Sequence, residues 1–143
     1  MIATLAALAL FGLGGKPQPH KDWTTQLVID GWRPVLADPD RVVLIQPAPP
    51  LGEVRRRWVR IEYKSARMCF GMSCALGWKS RQALMEIACV NGMVRETEWT
   101  TYQQRNLKGG KVTGDQTPDA EWVLPPPQDP EHAVAEAVCK EPR

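Results

Sequence analysis

An α+β fold is predicted: a small antiparallel β-sheet of about five to six strands, with a C-terminal α-helix packed on it and disulfides stapling the whole. Three observations carry this. Short runs rich in Val, Ile and Trp recur between turn-forming residues from Thr24 to Thr113, Asn91-Gly92 separates two of them, and a helical pattern comes last and ends on Cys139.

The chain opens on Ile2 to Leu13, an uncharged apolar run of 12 residues followed by Gly14, Gly15 and Lys16-Pro17-Gln18-Pro19. That length is too short to span a bilayer and suits the core of a secretory signal peptide, with Gly12 and Gly14 as the small residues before a cut, although no basic segment precedes it. Residues 1–14 are therefore expected to be a signal peptide, 15–30 a leader with a first short strand, and 31–143 the folded domain. Gly12-Leu13-Gly14-Gly15-Lys16 is no phosphate loop, because it lacks the four-residue spacing and the hydroxyl residue after lysine.

From Thr24 to Ile29 and from Arg33 to Leu36 the chain reads as brief strands. The sequence Ala37-Asp38-Pro39-Asp40 then turns it into Arg41 to Ile45, whose Val, Leu and Ile content is that of a buried strand. Pro47, Pro49 and Pro50 are expected to end pairing, having no amide hydrogen for a ladder. In Arg57 to Lys64, Val59, Ile61 and Tyr63 fall on one face and Trp58, Arg60 and Glu62 on the other. Ser80 to Val90 and Met93 to Gln103 flank Asn91-Gly92. A two-residue turn there puts Cys89 opposite Val94 and mixes polar with apolar groups, so a bulge or a longer turn is expected to shift the register. Lys108-Gly109-Gly110 marks another turn before a weak strand at Lys111 to Thr113. Asp129 and Pro130 then supply an N-cap and a first helical residue, and Val134 and Val138, with Ala133 and Ala137 alongside, form the stripe that lies on the sheet. The six tryptophans are read as core and sheet-packing residues.

Four cysteines behind an export-like start point to an oxidising compartment. They allow three pairings. The favoured one closes Cys69 on nearby Cys74, worth about 2 kcal/mol on the chain-entropy model, and leaves Cys89 with Cys139, worth about 4 kcal/mol. The competing reading is a soft-metal site in which Met68 and Met72 join the thiols, as suits copper(I) or zinc. Cys89 and Cys139 lack ligand spacing for it, so no metal and no cofactor is expected.

Trp32 with Val35, the strand Arg57-Trp58-Val59-Arg60, Glu86-Ile87-Ala88-Cys89 before Asn91-Gly92, Arg95, Tyr102, Gly109, Trp122, Pro125 and the terminal Val138-Cys139 resemble the bacterial surface-adhesin protein E-like family. The resemblance runs from Trp32 to Cys139. It implies a small antiparallel sheet packed by a C-terminal helix, a Cys89 to Cys139 bridge, a Gram-negative envelope location, and binding of host matrix or serum proteins. The proline-rich break from Gln46 to Leu51 and the Cys69 to Cys74 segment depart from the family.

Charge supplies the candidate binding surface. The net charge is +2, but Glu53 to Arg67 holds six basic and two acidic residues, whereas Asp115 to Arg143 holds two basic and seven acidic. Arg55, Arg56, Arg57, Arg60, Lys64 and Arg67 are the candidate patch for an acidic partner, a host or envelope macromolecule; the bland reading is a solvated edge strand. Export and the small net charge argue against nucleic acid. Catalysis is not expected: His20 and His132 stand apart, and Ser65, Ser73 and Ser80 lack a nucleophile-elbow pattern. An open sheet also has edges through which a homodimer can form. The leading expectation is a non-enzymatic envelope binding module, and the alternative is a periplasmic accessory domain without external ligand.

Overall fold

The computed structural model describes residues 22–68, 77–114, 117 and 119–142. Six strands form one antiparallel sheet in sequence order: β1 (Arg33–Ala37), β2 (Arg41–Leu51), β3 (Val54–Arg67), β4 (Trp78–Ala88), β5 (Met93–Gln104) and β6 (Lys108–Thr113). A single helix, α1 (Pro130–Cys139), follows. The expected architecture is present, and every connection is local, as a meander of hairpins requires. Among the described residues no helix is long and apolar enough to cross a membrane.

Alternation along β3 separates two faces. Val43, Ile45, Val59, Ile61, Met85, Ile87 and Val94 make one apolar cluster with Val134, Ala135 and Val138 of α1, and Tyr63 packs against it. Burying a side chain such as Val134 or Val138 stabilises by about 1.5–3 kcal/mol. Within the helix Ala135, rather than Ala133 or Ala137, joins the two valines in the core. Asp129 has the extended backbone of an N-cap, but its side chain makes no capping bond. The Cys89–Cys139 bridge, with Cα atoms 5.4 Å apart, fastens the last helical residue to the end of the β4–β5 hairpin.

Several local expectations are corrected. Residues 24–29 form no strand; Trp23–Gln26 is a 3-10 turn because the Asp22 carboxylate accepts the Thr24 amide at 3.1 Å. The prolines do not end β2, which continues opposite β3 through Pro47–Arg57 and Ala48–Arg56. β1 pairs only with residues 42–45 of β2, so the outer edge along Pro47 and Pro49 has no partner strand that needs their missing amides. At Asn91-Gly92 the expected shift of register is present: the hairpin closes with Ala88 opposite Met93, so its loop has four residues, and a bulge at Leu84/Met85 shifts the register again. Gly92 takes φ +71°, the left-handed conformation a glycine accepts without strain. The next turn comes earlier than Lys108-Gly109-Gly110: Asn106 and Leu107 adopt φ 61° and 55°, and both glycines belong to β6.

Candidate functional site

The candidate arginines do not lie together. β3 is the third of six strands, flanked by β2 and β4, so it is not the edge strand of the bland reading. The pleat sends its alternate side chains to opposite faces. On the helix face Arg55 donates to the carbonyls of Val138 (2.5 Å) and Glu141 (2.9 Å), closing the C-terminal end of α1. Arg57 and Arg33 both pair with the Glu141 carboxylate. On the other face Arg56 stands 3.9 Å from Glu86, which also holds Arg95 at 2.6 Å. Arg60 is buried and paired with Glu62 at 2.6 Å. Lys64 is exposed, and exposed Arg67 lies 5.3 Å over the Tyr63 ring. Four of the six candidates therefore serve ion pairs or helix closure, and Lys64 and Arg67 are left toward solvent. Cys69 and Cys74 lie outside the described residues, and the Cys89–Cys139 bridge withdraws two thiols from the metal reading.

The buried pair ties the leader to the sheet. Asn106 donates its amide to both Glu62 oxygens at 2.9 and 3.1 Å, its Oδ1 accepts from Arg60 (2.9 Å) and the Val28 amide (2.8 Å), and its Nδ2 donates to the Gln26 carbonyl at 3.0 Å. Arg60 also donates to the Val28 carbonyl at 2.8 Å and lies 5.7 Å over Trp32. Burial raises the pKa of Glu62, while Arg60 and the Asn106 amide pull it back down. This arrangement is structural: its hydrogen bonds run within the chain, across an 80-residue separation from Gln26 to Asn106.

A cleft of about 480 Å³ on the helix face combines aromatic, apolar and charged walls. Tyr63 and Arg67 come from β3, Trp78 and Arg81 from β4, Glu96 from β5, and Leu124, Pro125 and Glu131 from the segment that leads into α1. Tyr63 and Trp78 meet edge to face at 5.2 Å, at the bulge where β3 and β4 change register between Glu62 and Arg67. Arg81 and Glu96 form a two-point ion pair at 2.6 and 2.5 Å. Burial works against the Arg81 charge, but its bonds to Glu96 outweigh that and its pKa is raised. Glu131 is raised chiefly by burial and further by Glu96. The leader into α1 is held by reciprocal backbone bonds between Val94 and Val123, both 2.9 Å, leaving Val123 51 % and Leu124 69 % exposed at the mouth.

Sequence reasoning did not assemble this cleft, because its walls come from four stretches between residues 61 and 131 and share no motif. The tryptophans also take a different role. None joins the buried core; Trp23, Trp32, Trp99 and Trp122 each carry an arginine 4.7–5.7 Å over the ring.

The same span that forms the sheet and helix matches the family model of surface-adhesin protein E, over residues 32–140. The chain belongs to that family. Two structures of Haemophilus influenzae protein E share the surface-adhesin E fold with this chain. Crystal form II has a TM-score of 0.55 at 10% identity and covers 78% of this chain and 89% of that one. The other has a TM-score of 0.53 at 10% identity and covers 78% and 86%. At such identity the likeness is one of fold. Among curated proteins none matches the chain by sequence.

Proposed function

We propose that this chain is an exported, non-enzymatic binding module of the Gram-negative cell envelope that grips a host or envelope macromolecule through the cleft between the sheet and the segment entering α1. The observation that carries the reading is the mouth of the cleft. Arg67 and Glu131 have no ion-pair partner among the described residues, and they stand with Trp78, Tyr63 and the exposed Leu124 around one opening. An apolar centre with aromatic walls and a charged rim is the anatomy of a protein-binding surface. The family match supports the adhesive role, and the apolar run at residues 2–13, outside the described residues, supports export.

The test is binding to a panel of purified extracellular-matrix and serum proteins by surface plasmon resonance, with the chain and its Arg67→Glu/Leu124→Glu variant. Both side chains are exposed, so the variant keeps its melting temperature, and binding falls by at least roughly ten-fold, about 1.4 kcal/mol. Unchanged binding by the variant removes the cleft from the proposal. Protease added to intact cells must also remove the protein. Survival until the outer membrane is broken leaves the periplasmic accessory domain as the reading.

A further inference from the structure

We infer that the outer edge of β6 is a strand-addition site for an extended, acidic segment of a partner protein. The two lateral edges of the sheet are built differently. On the first, β1 is only five residues long and contains Pro34, and where it ends the exposed margin of β2 carries Pro47, Pro49 and Pro50. Proline in such positions denies a foreign strand its hydrogen bonds. β6 has no proline, all six of its residues are exposed, and its inner edge alone is engaged, from Gln104–Lys108 to Thr100–Thr113. Beyond β6, Gly114 donates to the Trp99 carbonyl and Thr117 to the Thr97 carbonyl, each at 3.0 Å, so both of these described residues lie against β5 rather than on the outer edge of β6. Among the described residues nothing pairs with the far side of β6.

Charge selects the partner. From Trp99 to Gly114 the sequence holds three basic residues, Arg105, Lys108 and Lys111, and no acidic one. Lys108 and Lys111 are exposed, and neither has an ion pair among the described residues. Arg105 donates to the carbonyls of Tyr63 (3.1 Å) and Lys64 (2.5 Å), which brings the exposed Lys64 beside the β5–β6 turn. A second copy adding through the same edge would set the lysines of two β6 strands against each other, and like charges across a strand pair are destabilising. An acidic strand instead gains the ladder and the charge complementarity together.

The probe is a fluorescein-labelled eight-residue peptide of alternating Glu and Val, blocked at both ends, added to the full chain. Anisotropy reports binding and amide hydrogen exchange reports its place. The inference expects saturable binding, slowed exchange within Lys108–Thr113, at least a roughly ten-fold loss in Lys108→Glu/Lys111→Glu, and loss of binding when alternate peptide amides are methylated at unchanged charge. The methylated peptide keeps the test independent of how the variant folds. Absence of binding overturns the inference, as does binding that survives methylation or protects other amides, which is charge attraction alone. Protection of β6 in the free chain that grows with protein concentration also overturns it, in favour of a second copy.

Discussion

The two faces of one sheet are buried by opposite means. Against α1, Val43, Ile45, Val59, Ile61, Met85, Ile87 and Val94 meet Val134, Ala135 and Val138, and stabilisation is spread over many similar contacts. One residue along each strand, on the other face, Arg60, Glu62, Ser80 and Glu86 are buried beside Val42, Leu44 and Leu84. There the side chains are retained by a few directional bonds. Ser80, for example, donates to the Gln104 carbonyl at 2.5 Å and accepts from the Leu107 amide at 3.1 Å. Loss on the apolar face scales with the volume removed, whereas loss on the polar face depends on which partner is stranded.

The sharpest test of that contrast is Arg60→Met. It leaves the Glu62 carboxylate in a site where no part of the residue is exposed, and removing one member of a buried pair costs about 3–5 kcal/mol. The double variant Arg60→Met/Glu62→Leu removes both charges and restores most of that loss in urea unfolding at neutral pH. Acid also narrows the loss in the single variant, because the pKa of Glu62 is already raised by burial and its protonation removes the stranded charge. If the double variant is as unstable as the single one, shape rather than charge governs this face and the contrast fails.

On the apolar face the comparable lever is covalent. Cys89→Ser/Cys139→Ser opens a bridge between residues 50 apart in sequence, for which the expected loss is about 2–4 kcal/mol. Because Val134 and Val138 are fully buried against the sheet, the helix is expected to stay docked. Faster hydrogen exchange is expected at its C-terminal end, where the bridge and the Arg55 contacts with the Val138 and Glu141 carbonyls converge. Loss of the whole far-UV helical signal before the sheet unfolds would show that the apolar contacts do not hold α1 unaided.

The difference between the faces also explains what was legible in the sequence. Apolar alternation needs only its own strand to be read, so the face of Val59, Ile61 and Tyr63, the helix on Val134 and Val138, and the antiparallel sheet were visible, whereas the sequential order of its strands was not. Arg60 and Glu62 show the same alternation but read as solvent-facing, because what covers them comes from Val28, Trp32 and Asn106, up to 46 residues away. The same blindness to distant partners made Arg55, Arg56, Arg57 and Arg60 look like one surface. The cleft was hidden for a related reason: Tyr63 and Trp78 meet across a register shift that no local pattern encodes. The prolines of β2 misled because a missing amide matters only on a paired edge, and edge position is a property of the whole sheet.

The smallest expected effect lies at the cleft, where apolar burial and charge meet in one residue. Glu131 occupies the first turn of α1, a position that favours a negative charge, yet its pKa is raised by burial first and by Glu96 second, with Arg81 opposing. The raised value sets the sign. The folded chain holds this proton more firmly than the unfolded one, so the carboxyl detracts from stability as pH rises from the ordinary value of 4.5 through the folded one. Glu131→Gln is therefore expected to raise the melting temperature at pH 7 and to leave it unchanged near pH 3. Because the carboxyl is only half-buried and solvent screens it, the gain is well under about 1 kcal/mol. A lower melting temperature at pH 7 would mean that the helix terminus favours the charge more than burial opposes it, and Glu131 would then be a helix-stabilising residue. A higher one leaves Glu131 as a charge maintained against stability at the mouth of the cleft, which is the pattern of a group kept for contact with a partner.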